Sequence, residues 1–194
     1  MGRIVVTEFV SLDGVMEDPG GAEGFKHGGW TFEISRGEEG DKFKLDETLE
    51  AEALLLGRVT YEGFAAAWPS MTDEAGFADK MNNMPKYVVS STLDTADWSN
   101  STVLRGDVAD EVAKLKQDVD GVILVPGSAQ LVQTLAEHDL VDELRLMVFP
   151  VVLGSGKRLF GETDDKKPLR LADSRSVGDG IAILTYEPAA RTES

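Results

Sequence analysis

Cysteine is absent from this chain of 194 residues, and histidine occurs only at His27 and His138. Without cysteine there can be no disulfide, no thiolate metal site and no cysteine nucleophile. The two histidines are far apart in the sequence, so a histidine-based zinc site is not expected. We therefore assign no metal ligand to any residue.

Basic residues are also scarce: 19 lysines and arginines stand against 35 aspartates and glutamates, which gives a formal net charge of −16. Nucleic acids are bound through basic surfaces, so we expect no nucleic-acid partner. The acidic surface is expected to aid solubility. An anionic ligand would have to be held locally, by arginine side chains and by the positive ends of helices.

Long apolar runs are missing too. No window approaches the roughly 18 apolar residues of a membrane span, and the amino terminus lacks a basic-then-apolar leader. These absences predict a cytoplasmic protein with no membrane partner. The length and the 42% hydrophobic share predict one globular domain over residues 1–188, with a frayed tail at 189–194.

The main positive signal is a pair of strand-to-helix junctions that contain glycine. Residues 54–62 form an apolar run that breaks at Gly57 and continues with a helical pattern. Residues 122–130 form a second such run, which breaks at Gly127, and a third strand between them ends in two serines. Backbone N–H groups at helix starts bind phosphate readily. The junctions therefore predict a phosphorylated nucleotide lying across the edge of a sheet.

Strands and helices alternate through residue 140, which predicts a mainly parallel α/β sheet. Two strands around a glycine-rich turn near residue 179 predict an antiparallel hairpin at the carboxyl end. Strands are expected at 3–12, 53–56, 86–90, 102–105, 122–125, 141–152, 169–176 and 181–186. Helices are expected at 41–52, 59–67, 72–83, 108–117 and 128–137, with Asp107 as the N-cap of the fourth.

Six short motifs occur in an order typical of one superfamily: Ser11–Gly14, Leu56–Glu62, Lys86–Ser91, Val125–Ser128, Leu140–Leu146 and Pro150–Gly156, the last followed by Leu159-Phe160. With them the chain resembles the dihydrofolate reductase-like superfamily. In particular, it looks like the stand-alone relatives of the carboxyl-terminal reductase domain of the riboflavin-biosynthesis deaminase–reductase. The resemblance covers nearly the whole chain and implies a three-layer fold, with a mostly parallel central sheet and antiparallel carboxyl-terminal strands.

The resemblance implies NADPH as the cofactor. Gly57, Arg58 and Thr60 match the segment that holds phosphate where a helix begins. Ser90 and Ser91 match the residues beside the adenosine 2′-phosphate, to which the planar guanidinium of the neighbouring arginine is well suited. The positions that match the pyrophosphate-binding turn are Gly127, Ser128, Ala129 and Gln130.

Each of these assignments also has a purely structural interpretation. Gly57 can simply end a strand, and Arg58 can pair with Glu62 one helical turn away. The serines at 90 and 91 can be ordinary turn residues. The family motif often has a second glycine where this chain has Ser128, although serine can still donate from its N–H and hydroxyl.

Two aspartates are candidates for catalysis. Asp41 lies sixteen residues before Gly57, a spacing that resembles the acidic residue of dihydrofolate reductases, and it could act as a proton relay or ring anchor on the edge of an apolar helix face. The alternative is that Asp41 caps this helix. The resemblance places Asp13 beside the nicotinamide and the substrate, whereas Asp-Gly is also a common turn.

Four aromatic residues could line a flat pocket for a heteroaromatic ring, or could equally be core: Trp30, Phe32, Phe64 and Trp68. The residues expected to bind the substrate differ from those of both riboflavin-pathway reductases and dihydrofolate reductases. Pro126 stands where riboflavin-pathway reductases tend to have Glu, and no basic residue between 65 and 79 could hold a ribose phosphate. Met147 stands where dihydrofolate reductases have a supporting Thr.

The sequence therefore predicts an NADPH-dependent reductase that transfers hydride to a small heterocycle. By resemblance it is of the 5-amino-6-(5-phosphoribosylamino)uracil reductase type, with the natural substrate open. A dihydrofolate reductase and a non-catalytic NADPH-binding protein are the alternatives. A homodimer is expected from the family, formed through residues 144–153 and the terminal hairpin, although a core strand explains the first segment equally well.

Overall fold

The computed structural model describes residues 1–189, which form an eight-stranded mixed sheet. The strands are β1 (Arg3–Ser11), β2 (Ala51–Gly57), β3 (Lys86–Val89), β4 (Ser101–Leu104), β5 (Val122–Pro126), β6 (Glu143–Phe149), β7 (Leu169–Val177) and β8 (Ile181–Pro188). Their order across the sheet is β4-β3-β2-β5-β1-β6-β8-β7. The first six strands in this order are parallel to one another, and β8 is antiparallel to both β6 and β7. The predicted fold class is confirmed.

Five helices cover the two faces of the sheet: α1 (Gly37–Glu50), α2 (Arg58–Ala67), α3 (Phe77–Asn83), α4 (Val108–Asp118) and α5 (Ala129–Glu137). Side chains of β1 alternate between the faces, as the pleat requires. Val6 packs with apolar residues of α4 and α5, whereas Val5 packs with those of α2 and α3. None of the helices within residues 1–189 combines the length and apolar character needed to cross a membrane.

Three predicted element bounds differ from the structure by three residues or more. Helix α1 starts at Gly37, so residue 41 lies inside the helix. Helix α3 starts only at Phe77, because Gly76 adopts a left-handed conformation and Asp73 accepts hydrogen bonds from the first helical N–H groups. Strand β6 stops at Phe149, before a proline that cannot donate to the sheet.

The glycine-rich segment between β1 and α1 is fixed by Asp18, a buried residue. Its carboxylate accepts hydrogen bonds from the N–H groups of Glu23 and Phe25 at 3.0 and 3.1 Å, and its carbonyl accepts one from Gly29. Trp30 opens a short 3₁₀ helix, Trp30–Glu33, after this loop. These bonds give the segment a defined conformation.

Lys86 is completely buried at the start of β3 and has no acidic partner close by within the described residues. Its ammonium donates to the carbonyls of Asn82, Met84 and Ser99, each at 2.9 Å, and lies 4.2 Å from the centre of the Trp98 ring. Burial lowers the pKa of Lys86 to about 8. The residue joins the end of α3 to the segment that leads into β4.

The predicted single domain at 1–188 remains a prediction. The predicted tail at 189–194 lies, from residue 190 onward, outside the described residues. The N–H of Ala189 donates to the carbonyl of Pro168 at 3.0 Å. The apolar residues of β6 are buried in the core, as the structural alternative for that segment expected.

Candidate functional site

A cavity of about 1310 Å³ opens at the carboxyl edge of the parallel strands. At this edge the three central strands are no longer paired with one another. Strand β5 pairs with β2 only as far as Leu54 and with β1 only as far as Thr7. The cavity exceeds the roughly 300–1,000 Å³ of a pocket for one small ligand, so it has room for a cofactor and a substrate together.

The two glycine junctions meet at one end of this cavity, which we call the junction end (residues 57–60, 90–92 and 127–130). The hydroxyl of Ser128 accepts a hydrogen bond from the Gly57 N–H at 2.9 Å and donates one to the Thr60 hydroxyl at 3.0 Å. A Cβ on Gly127 would lie 2.9 Å from that Thr60 hydroxyl, so glycine is required there. The serine in place of a second glycine thus links positions 71 residues apart.

The structural alternatives for this end are also present, and Gly57 is the last residue of β2. Arg58 pairs with Glu62 at 2.9 Å on the exposed side of α2. The Ser90 hydroxyl accepts hydrogen bonds from the N–H groups two and three residues further on, as a turn residue does. Neither bond closes the cavity, because Arg58 and Ser90 still line it.

Arg105 also lines the junction end, just after β4, although it lies in none of the motifs identified in the sequence. Its guanidinium donates to the carbonyls of Leu93 and Asp94 at 2.6 and 2.8 Å, which orients it along the loop after β3. With Arg58 it supplies local positive charge in a strongly acidic protein. An anion can therefore be held here despite the net charge of the chain.

Helix α1 forms the other end of the cavity, which we call the helix end. Here the carboxylate of Glu47 is buried, accepts a hydrogen bond from the Thr7 hydroxyl at 2.8 Å and pairs with Lys44. Lys44 also donates to Thr7 at 2.9 Å and lies 4.8 Å from the centre of the Phe9 ring. The second oxygen of Glu47 has no hydrogen-bond partner among residues 1–189.

Glu8 is a second buried carboxyl group, on β1 where the two ends of the cavity meet. One of its oxygens accepts a hydrogen bond from the Gly127 N–H at 3.1 Å, and the other has no partner within the described part of the chain. Burial raises the pKa of Glu8 well above its usual value, and Glu47 adds to this rise. Lys44 and the Gly127 N–H act in the opposite direction.

Residues 3–183 match the family model described as the RibD C-terminal domain. The chain belongs to that family. A relative within the RibD C-terminal family, the uncharacterized protein YwjB of Bacillus subtilis (strain 168), is 30% identical over 174 residues, which are 90% of this chain and 91% of that protein.

Two solved structures share the RibD C-terminal domain fold of this chain. A protein named for riboflavin biosynthesis, from Shewanella sp. PV-4, has a TM-score of 0.77 at 22% identity, over 96% of this chain and 99% of the other. A pyrimidine reductase-like protein from Corynebacterium diphtheriae has a TM-score of 0.62 at 12% identity, over 97% and 92%. At these identities the likeness shows the fold.

In this RibD C-terminal domain the predicted cofactor residues come together. All nine line the cavity, at its junction end: Gly57, Arg58, Thr60, Ser90, Ser91, Gly127, Ser128, Ala129 and Gln130. Three of the four predicted pocket aromatics line the cavity as well. Phe64 and Trp68 do so as an edge-to-face pair 6.4 Å apart, and Phe32 lies at the rim with 80% of its surface exposed.

Trp30 lies elsewhere, so its assignment to the substrate pocket is wrong. Only 2% of its surface is exposed, and its ring packs edge-to-face on Phe149 at 5.3 Å in the core. Its indole N–H donates to the carbonyl of Glu17 at 2.9 Å. Trp30 therefore anchors the loop that walls the cavity, and the adjacent Thr31 and Phe32 line the cavity instead.

Asp41 lines the cavity, but its surroundings differ from those expected. It is not the helix cap, because α1 begins four residues earlier. It is not desolvated either, since 65% of its side chain is exposed and it pairs with Arg36 at 2.9 Å. The buried carboxylate of α1 is Glu47, close to where the helix runs directly into β2.

Asp13 does not line the cavity. Its carboxylate accepts hydrogen bonds from the Ser11 hydroxyl at 2.6 Å and from the N–H groups of Leu153 and Gly154 at 3.1 and 2.8 Å. The Ser11 hydrogen bond is the main cause that lowers the pKa of Asp13 to about 2; desolvation opposes it, and the backbone bonds add to the lowering. Such a carboxylate stays ionised at neutral pH, so it ties two loops together and is unsuited to donating a proton.

Among the cavity residues that the sequence analysis did not select, only those of β1 carry a signal that is visible in the sequence. Glu8 and Thr7 are polar side chains inside a strand that is otherwise apolar and buried. A polar residue in that position requires a partner or a function. Glu47 and Lys44 gave no comparable signal, because charged residues are common along the exposed faces of helices.

Proposed function

We propose that this protein is an NADPH-dependent reductase that transfers hydride to a small heterocyclic substrate. Membership of the RibD C-terminal family supports a reductase-like function. The observation that carries the proposal is the single cavity in which the Ser128-linked junctions meet two buried carboxyl groups, Glu8 and Glu47. The name of the pyrimidine reductase-like neighbour is consistent with a heterocyclic substrate.

The residues at the junction end fit a phosphorylated dinucleotide. Gly127 offers a backbone without a side chain, and the N-termini of α2 and α5 face the cavity. Arg58, Arg105 and Ser90 all line this part of the cavity. The two guanidinium groups would neutralise a 2′-phosphate bound among these residues. When bound, NADPH supplies the hydride. The protein orients it and excludes competing reactions.

At the helix end we propose that Glu47, with its unpartnered oxygen, accepts a hydrogen bond from an N–H group of the substrate ring. Thr7 and Lys44 hold this carboxylate in place. Phe9 and Leu45 supply apolar surface beside it. Asp41, at the rim, remains a candidate for passing a proton from solvent. This arrangement favours a flat heterocycle over a flexible carbonyl compound.

The first test is a pair of titrations, NADPH against NADH, on the wild type, Arg58→Ala and Lys114→Ala. Arg58→Ala is expected to weaken NADPH binding about 10- to 100-fold, which corresponds to one or two charged hydrogen bonds, and to leave NADH binding nearly unchanged. Lys114→Ala, which removes an exposed charge outside the cavity, should behave as wild type. If neither nucleotide binds the wild type, the reductase proposal fails.

The second test compares Glu47→Gln with Asp41→Asn in NADPH oxidation. Dihydrofolate and a 5-amino-6-ribosylaminouracil compound serve as trial substrates, since they separate the two named activities. With either substrate, Glu47→Gln is expected to lower turnover more than Asp41→Asn. NADPH binding without oxidation in the presence of any substrate tried would favour the non-catalytic alternative. Full turnover in Glu47→Gln would show that Glu47 does not have the proposed role in binding the substrate.

We also propose that the protein is a homodimer. Strand β7 lies at one edge of the sheet formed by the described residues and exposes Leu169 and Leu171. Exposed edge strands of this kind pair readily with another chain. A second copy that pairs along β7 would cover both leucines.

A further inference from the structure

Glu8 occupies the first position of β1 beyond its pairing with β5. That pairing ends at Thr7 opposite Pro126, so the edge of β1 facing β5 is open from Glu8 onward. The side chain lies on the same face of the sheet as Val6 and Val10, which pack with α5. It therefore points to the N-terminus of α5 and bonds there to the Gly127 N–H.

The carboxyl group of Glu8 is incompletely bonded. Only 5% of the residue is exposed, and the oxygen that does not face Gly127 has no hydrogen-bond partner among the described residues. Buried polar atoms are nearly always paired, so an unpaired one in the wall of a ligand cavity indicates a place for a ligand atom. The position lies beside the turn at which the pyrophosphate is expected.

Two charged groups of α1 act on Glu8 through space from the Thr7 side of the sheet, where both bond to the Thr7 hydroxyl. Lys44 favours the ionised form of Glu8 and Glu47 opposes it. The opposing segment, residues 126–131, contains no titratable side chain. On β6, Arg145 pairs in register with Thr7 and is bound by Glu143 and Glu50, so it serves the other face of the sheet. Burial is the largest influence, and it favours the neutral carboxyl.

A neutral carboxyl in this position has one acceptor oxygen and one O–H donor. The acceptor is already used by Gly127, so the donor is the part that lacks a partner. Phosphate and amide oxygens of a dinucleotide are acceptors and fit this donor. An ionised Glu8 would have no hydrogen to donate and would repel the phosphates.

We infer that Glu8 binds the dinucleotide as an acid, donating a hydrogen bond from its carboxyl to a cofactor oxygen, so that cofactor binding and proton binding at this residue favour each other. This inference rests on the proposed function. It adds a residue and a pH dependence to the cofactor site. Because one proton is involved, NADPH affinity should fall by at most about tenfold per pH unit once the free protein begins to lose that proton.

The test measures NADPH binding between pH 6.5 and 9.5 on the wild type, Glu8→Gln, Glu8→Ala and Asp118→Asn. A 2′-phosphate titrates near pH 6, below this range. Calorimetry in two buffers with different ionisation enthalpies counts the protons taken up on binding. The wild type is expected to take up close to one proton at the upper end of the range, and to lose affinity there.

The variants separate the hydrogen bond from the charge. Glu8→Gln can still accept from Gly127 and donate to the cofactor, so it should keep the low-pH affinity of the wild type at every pH. Glu8→Ala lacks the donor and should bind NADPH about tenfold more weakly than Glu8→Gln, again without pH dependence. Asp118→Asn, which removes an exposed carboxylate outside the cavity, should behave as wild type.

Two results would overturn the inference while the proposed function stands. One is NADPH binding by the wild type with no proton uptake at any pH, a measurement that needs no variant to fold. The other is an unchanged pH dependence in Glu8→Gln. If the wild type binds no NADPH at all, the proposed function itself fails, and the inference falls with it.

Discussion

Ser128→Ala should loosen the contact between the two junctions. The change removes a hydrogen bond accepted from Gly57 and one donated to Thr60. Each is worth about 1 kcal/mol net, so the variant should lose about 2 kcal/mol of unfolding free energy. For a chain of this size, that corresponds to a decrease in Tm of roughly 4–8 °C.

Ser128→Gly provides an internal control. Residue 128 has a φ of 66°, a left-handed conformation that costs an L-residue about 1 kcal/mol or more and glycine almost nothing. Glycine loses the same two hydrogen bonds as alanine but relieves this strain, and its greater freedom in the unfolded chain offsets part of the relief. We therefore expect Ser128→Gly to be more stable than Ser128→Ala by up to about 1 kcal/mol.

The assay is urea unfolding followed by tryptophan fluorescence and circular dichroism, with Thr60→Val added to complete a double-mutant cycle. Thr60→Val keeps the shape and removes the hydroxyl, so the cycle isolates the contact between the two side chains. A coupling of about 0.5 kcal/mol or more is expected. Wild-type stability in Ser128→Ala, together with strict additivity, would show that the bonds between the junctions contribute nothing.

Three further predictions concern other parts of the molecule. Asp13→Asn should lower stability above about pH 4, where Asp13 is ionised in both the native and the unfolded wild type. The difference in stability between the two proteins should vanish as the pH falls to about 2, and acid titrations of both would measure it. Burial lowers the pKa of Lys86 to about 8 in the native protein, against about 10.4 in the unfolded chain. Between these two pH values the unfolded chain binds more protons, so the free energy of unfolding should rise with pH. Lys86→Met should abolish this rise, which urea titrations at pH 8 and pH 10 would measure. Leu171→Glu should convert a dimer to monomer in light scattering after size exclusion, and a monomeric wild type would refute the proposed dimer.

Most of the fold could be predicted because its signals are local. Buried parallel strands appear as short apolar runs, and glycine or proline marks their ends, as at Gly57 and Pro126. The start of α1 was missed because two glycines lie in its first turn, and glycine disfavours helix. That helix is held by packing against its neighbours, which no short stretch of sequence reveals.

The cofactor end of the site was predictable for the same reason, since its residues follow strand ends within short motifs. The substrate end was not. Whether a carboxylate on α1 is buried depends on how the helix lies against β1, and this decides between Asp41 and Glu47. Similarly, Trp30 does not line the cavity because its ring packs against Phe149. Phe149 is distant in the sequence, so this contact could not be predicted from it.

The position of β5 between β1 and β2 also determines when this protein can fold. Strands β1 and β2 are not neighbours in the sheet, so residues 1–121 contain no continuous central sheet while the chain is being made. Loop closure over such distances is slow, and the unpaired strand edges stay exposed until residue 126 is made. The central sheet can therefore be completed only after β5 has been made. Of the 35 acidic residues, 24 lie within residues 1–121, and we expect their charge to reduce aggregation of the unfinished chain.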